Sequence, residues 1–201
     1  MRSLFKTSCI VKYIIIFCLA FILLGCKSTD ALKMDGTMPI PSYVTPLSSV
    51  GDASWKIDEE IVSCSSGEGY FQTTQKFQYF NLSVDFKPEG GVNSGIFIGC
   101  EGRELSATNC YEVNIWDDHP NQRFRTGAIV TRMSPMNKVN SNGKWNTYEI
   151  SVVPGKISVI LNGIKTAELD IEGEIPNSQI AFQKFGKGKI AFKNIKIDRL
   201  K

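Results

Sequence analysis

Residues 110–117 read Cys110-Tyr111-Glu112-Val113-Asn114-Ile115-Trp116-Asp117. Side chains of an extended strand alternate between two faces, so Tyr111, Val113 and Ile115 form one apolar set while Glu112, Asn114 and Trp116 share the other side. A strand with one oily face belongs to an antiparallel sheet that packs on one side only. The polar side is not an ordinary wet face, because a carboxylate, an amide and an indole side by side combine hydrogen-bonding groups with a flat apolar platform.

The same two-residue period extends in both directions from this stretch. From Trp55 onward it is broken by Gly, Asn and Pro about every ten residues, and no run has the 3.6-residue period of a long amphipathic helix. Strands are expected over residues 55–63, 70–74, 81–88, 94–100, 110–117, 127–133, 145–153, 156–163, 164–170, 179–184 and 189–198. So many short strands predict an all-β domain over residues 51–201, folded as a two-sheet antiparallel sandwich of jelly-roll type, because one open sheet of that width would expose its edges. A closed barrel is the alternative. Parity puts Ile96, Ile98 and Cys100 in the core and leaves Phe97 and Gly99 beside Glu112. It likewise buries Ile180 and Phe182 and turns Gln183 outward. In 81–88 the core set is Leu82, Val84 and Phe86, with Ser83 and Asp85 on a solvated face. Trp145, opening an apolar strand, is expected in core packing.

The 201 residues are 42% hydrophobic and 21% charged, which excludes a disordered tail or a polytopic membrane protein. The net charge of +3 comes from the first 25 residues: removing Arg2, Lys6 and Lys12 leaves 20 of the 23 basic side chains against 20 acidic ones. A neutral chain without a Lys/Arg stripe has no electrostatic grip on nucleic acid. Behind those three cations, residues 13–25 (YIIIFCLAFILLG) are too short for a full membrane span and have the form of an export signal. Leu23-Leu24-Gly25-Cys26 resembles a bacterial lipobox, which predicts cleavage before Cys26, lipidation there, and attachment to the cell envelope; an ordinary secretory signal is the alternative. Lys27 in place of Asp points to the outer membrane or its periplasmic face in a Gram-negative host. Residues 26–50, with Pro39, Pro41 and Pro46 among Ser and Thr, read as a tether.

Three cysteines remain for an oxidising compartment. Cys100 ends one apolar strand and Cys110 opens the next, so the two can face each other across a hairpin and bridge, leaving Cys64 free; three buried thiols are the alternative. With His119 as the only histidine and no CxxC, no metal site or other cofactor is expected, although a divalent ion is not excluded.

The stretch from Trp55 to the C-terminus resembles the bacterial family first catalogued as a domain of unknown function and later named 3-keto-disaccharide hydrolase, or 3-keto-glucoside 1,2-lyase and 3-keto-2-hydroxyglucal hydratase. The resemblance is carried by Trp55-Lys56-Ile57-Asp58, Phe80-Asn81-Leu82, Asn93-Ser94-Gly95-Ile96-Phe97, Tyr111 to Asp117, Thr126-Gly127-Ala128-Ile129, Lys144-Trp145-Asn146, Leu161-Asn162-Gly163, Ile180-Ala181-Phe182-Gln183 and Phe192-Lys193-Asn194-Ile195. It implies a concanavalin-like lectin/glucanase sandwich with a site on one sheet. The chain departs from the family at Gly99, where Arg is common, at Asn114, where Gln is common, and at Lys184-Phe185, where a His often follows. It also lacks insertions that usually wall the site.

The implied substrate is a glycoside already oxidised at C3, whose ketone acidifies the C2 proton so that a carboxylate can remove it and the C1 oxygen is expelled. Water then adds back. In that scheme Glu112 is the base, Asn114 and Gln183 bind the substrate as hydrogen-bond donors, and Trp116 and Phe97 stack the ring. Asp117 joins Glu112 through a β-bulge at the strand end. Arg125, or Arg123, supplies the cation missing at Gly99. Two other readings use the same segment: a β-glucanase-like pair of carboxylates, Glu112 and Asp117, and a non-catalytic carbohydrate-binding module. A structural envelope lipoprotein is the remaining alternative.

Overall fold

The computed structural model describes the backbone of Val44–Leu47 and residues 52–102 and 104–201. The expected export signal, the expected lipidation site Cys26 and most of the expected tether lie outside the described residues. Twelve strands are present among them: β1 Val44–Leu47, β2 Trp55–Asp58, β3 Ile61–Cys64, β4 Gly69–Phe77, β5 Phe80–Glu89, β6 Ser94–Ile98, β7 Tyr111–Ile115, β8 Asn146–Val153, β9 Lys156–Leu161, β10 Ile164–Asp170, β11 Ser178–Lys184 and β12 Lys189–Arg199. They form a five-stranded sheet, β1-β4-β11-β6-β7, and a seven-stranded sheet, β10-β9-β8-β5-β12-β3-β2. Neighbours pair antiparallel throughout.

Alternation builds the layer between the sheets. Phe80, Leu82, Val84 and Phe86 of β5, Tyr148, Ile150 and Val152 of β8, and Ile157, Val159 and Leu161 of β9 are buried from one side. Ile96, Ile98, Val113, Ile115, Ile180 and Phe182 meet them from the other, all in one cluster. Phe71 stacks on Phe182 at 4.6 Å and meets Phe192 edge-on at 5.6 Å, tying β4, β11 and β12 together. At roughly 1.5–3 kcal/mol for each large apolar side chain, this layer dominates the stability.

Four local expectations are corrected. Residues 55–63 are not one strand but the hairpin β2–β3, reversed at Glu59-Glu60, where Glu59 takes φ 51°. Residues 127–133 form no strand: Ile129 and Met133 bond each other's backbones around a tight turn, and 127–130 lies along the open edge of β7. Val44–Leu47, assigned to the tether, is β1 and pairs with Tyr70–Thr73 of β4, so the domain begins before residue 51. Trp145 is 38% exposed, with the Lys193 ammonium 4.6 Å from its ring, because it precedes β8 on the outward parity of Thr147 and Glu149.

Candidate functional site

The outer face of the five-stranded sheet is built in two rows. Strand register sets Ala181, Phe97 and Glu112 side by side across β11, β6 and β7. One step along, Tyr70 faces Gln183 across β4 and β11, and Gly95 faces Asn114 across β6 and β7. Glycine at 95 leaves room that the Glu112 side chain takes up: a Cβ there would lie 3.0 Å from Glu112 Oε1 and 3.1 Å from its Cγ. The Glu112 carboxylate therefore leans over Gly95. Its backbone φ is not in the left-handed region, so the glycine supplies space rather than backbone freedom.

Around this notch lies a second, smaller apolar cluster of Tyr70, Phe97, Cys100, Cys110 and Ala181, with Leu105 and Phe185 packed against it. Glu112 is 8% exposed beside it. Burial pushes its pKa up to about 7, and no hydrogen bond from a described residue opposes the shift. A carboxyl tuned to neutral pH can take or return a proton. Across the notch the Gln183 Nε2 donates to the Tyr70 hydroxyl at 3.3 Å, and Tyr70 donates to the Leu105 carbonyl at 3.2 Å. Gln183 Oε1 is buried without a partner among the described residues. Buried polar atoms are normally satisfied, and this acceptor lies on the same sheet face as the raised carboxyl, which makes the pair the candidate site.

Leu105 packs over the notch from the segment between Cys100 and Cys110, which a disulfide joins with Cα atoms 4.0 Å apart. Cys64 is free and buried. Arg132 clamps the loop by donating to the carbonyls of Ala107, Thr108 and Cys110, with its guanidinium 4.4 Å from the Tyr111 ring centroid. Here parity fails. Gly99 takes φ +55°, and a Cβ on it would strike Ile175 at 2.3 Å. Gly99 thus faces the main core rather than Glu112, and Cys100, expected in the core, swings to the outer cluster. Any side chain at 99 is excluded on this backbone, which explains the missing arginine in structural terms.

Other expected site residues serve a different assembly at the far end of β7. The Asn114 Nδ2 donates to the Phe124 carbonyl, and its Oδ1 accepts from the Ile115 amide, so its amide is occupied. Asp117 does not turn toward Glu112. Its carboxylate accepts from the Ser141 amide at 2.6 Å, the Ser141 hydroxyl at 3.0 Å and the Asn142 amide at 2.9 Å. Burial works against its ionisation, but these bonds and one from Thr126 outweigh burial and hold its pKa low. Arg125 is buried, donates to the Val139 carbonyl and to Asn140, and sits 3.6 Å from Asp117. These three residues pin the loops 117–126 and 138–142 to the sheet. Phe97, 1% exposed and edge-on to Tyr70 at 5.3 Å, is a wall of the notch and cannot stack a ring. Trp116 keeps partial exposure and touches His119 edge-on at 4.6 Å. It is four residues from Glu112, roughly 13 Å along a strand, so it can support only a neighbouring ring.

Of the expected residues, Glu112, Gln183 and, as a wall, Phe97 share the notch. Sequence parity missed Tyr70, although the alternation of Tyr70 with core Phe71 was a usable signal. No group of three or more His, Cys, Asp or Glu able to hold a metal occurs among the described residues.

The architecture is a two-sheet antiparallel β-sandwich of jelly-roll type, with this notch on the outer face of its smaller sheet. A family model for the 3-keto-alpha-glucoside-1,2-lyase-like domain matches residues 45–198. The chain belongs to that family, which places its function in carbohydrate chemistry. A Parabacteroides distasonis protein named as a glycosyl hydrolase superposes with a TM-score of 0.63 at 25% identity, over 78% of this chain and 99% of that one. A second from the same organism gives 0.65 at 20% identity, over 73% and 83%. The carbohydrate-binding module CBM66 from Bacillus subtilis has the same fold, with a TM-score of 0.55 at 12% identity over 77% and 99%. No curated protein sequence matches the chain.

Proposed function

We propose that the chain is a lipid-anchored envelope enzyme that cleaves 3-keto-glycosides by elimination. Glu112, as carboxylate, takes the C2 proton of the oxidised ring and becomes a carboxylic acid. The electron pair moves onto the C3 oxygen as an enolate. Collapse of the enolate restores the ketone, forms the C1–C2 double bond and expels the C1 oxygen, which takes up a proton. Hydration runs the same proton path in reverse. Gln183, with its open Oε1, accepts a sugar hydroxyl, and Trp116 supports the adjoining unit.

The observation that supports the reading is the pKa of Glu112, raised by burial to about 7 where the described neighbours Tyr70, Phe97 and Gln183 are uncharged. A base for an activated carbon acid works best near the ambient pH. The β-glucanase alternative lacks its second carboxylate, since Asp117 is bound up with Ser141 and Asn142. A binding-only module is favoured by a different observation: the expected arginine is replaced by Gly99, and Arg125 is tied to Val139 and Asn140. Incubating the protein with a 3-keto-glucoside and, in parallel, with unoxidised glucans decides between them. Elimination product from the ketosugar alone supports the lyase; affinity without turnover supports the module. Cys26→Ser should move the protein from the membrane to the soluble fraction.

A further inference from the structure

Tyr70 is the one hydroxyl-bearing aromatic of the outer cluster, and its surroundings are unusual for a packing residue. Its ring is held edge-on by Phe97 at 5.3 Å and tilted against Phe185 at 5.5 Å. The hydroxyl is poorly served by the described residues: its two hydrogen bonds with them are long, at 3.2 Å to the Leu105 carbonyl and 3.3 Å from Gln183. Phenylalanine would fill the same space without burying a hydroxyl. The bond it makes is informative, because a backbone carbonyl accepts the phenolic proton just as a ketone oxygen would.

We propose that Tyr70, held by Gln183, is the hydrogen-bond donor that meets the C3 oxygen as it becomes an enolate, with the Leu105 carbonyl occupying that bond when no ligand is bound. This assignment rests on the lyase reading above. Glu112 takes the C2 proton from one side of Gly95, and Tyr70 stabilises the resulting charge from the other, exchanging its bond to Leu105 for one to the substrate. Its own proton stays on the phenol throughout, so the proton and electron balance of the elimination is unchanged. Burial and the nearby Glu112 raise the Tyr70 pKa, consistent with a donor that stays protonated.

Tyr70→Phe preserves the ring contacts, so the test separates donor from wall. With a 3-keto-glucoside, kcat for Tyr70→Phe should fall on the order of 100-fold, as for loss of one oxyanion donor, with KM changed by less than about threefold. Exchange of the C2 hydrogen in heavy water should slow in parallel, while the pH limb near 7 set by Glu112 stays in place. Melting of the variant within a few degrees of the wild type shows that folding is intact. If Glu112→Gln is inactive but Tyr70→Phe turns over and exchanges at the wild-type rate, the Tyr70 assignment is overturned and the lyase reading stands. A wild-type protein that neither exchanges nor cleaves the ketosugar overturns both.

Discussion

Glu112→Gln should make the domain more stable at neutral and alkaline pH while removing its chemistry. The folded carboxyl titrates at about 7, against 4.5 when unperturbed. Because the folded value is raised, the folded state holds its proton where the unfolded chain has released it. The favourable contribution is therefore complete below pH 4.5 and is lost progressively as pH rises to about 7. At 1.36 kcal/mol per pH unit, the full difference is about 3 kcal/mol, all of it the cost of ionising a carboxyl in an apolar notch. Glutamine has the same shape and never ionises. Thermal unfolding of both proteins from pH 4 to pH 9 should give similar midpoints at the acid end. Above pH 8 the variant should melt about 6–12 °C higher, at 2–4 °C per kcal/mol for a domain of this size. Parallel curves across the whole range would mean that the carboxyl is not desolvated as argued, and the case for a neutral-pH base would go with it.

Other expectations follow from the same geometry. Replacing Cys100 and Cys110 with Ser should cost about 3 kcal/mol, the loop-closure value for a bridge spanning ten positions, read as a lower denaturation midpoint in urea. Gly95→Ala should leave stability within about 1 kcal/mol, since the backbone is ordinary strand, yet reduce turnover roughly tenfold by shifting the carboxylate a few tenths of an ångström. Trp145→Ala should cost only about 1 kcal/mol by chemical denaturation, because its partly exposed ring meets the Lys193 ammonium rather than packing in the core.

The sandwich was legible because burial writes itself into period-2 alternation. Val84, Ile96, Val113 and Phe182 are core residues for the reason their spacing gave. Alternation is also where the reading failed. At Gly99 one residue in the left-handed region exchanged the faces of Gly99 and Cys100, and at Glu59 another turned an expected strand into a hairpin. Parity placed Glu112, Asn114 and Trp116 correctly on one face, but it carries no information about which loop crosses that face. Only the fold shows that residues 124–128 come back over Asn114 and that 138–142 seize Asp117. The reach of Arg132 into the 107–110 loop, from 22 to 25 residues away, is likewise a tertiary fact with no local signature.

β7 thus divides its polar groups between two tasks that compete for the same atoms. Asn114, with Asp117 just past the strand end, is saturated with hydrogen bonds and fixes loops; Glu112 at the other end is left with none from the described residues. That contrast argues for a base over a simple hydroxyl acceptor. A binding module needs only an acceptor, and glutamine at 112 would provide one without the roughly 3 kcal/mol penalty that an ionised carboxyl incurs here. A carboxylate to which no described residue donates makes physical sense where its basicity is used, and an acidic carbon next to a ketone is a substrate that uses it.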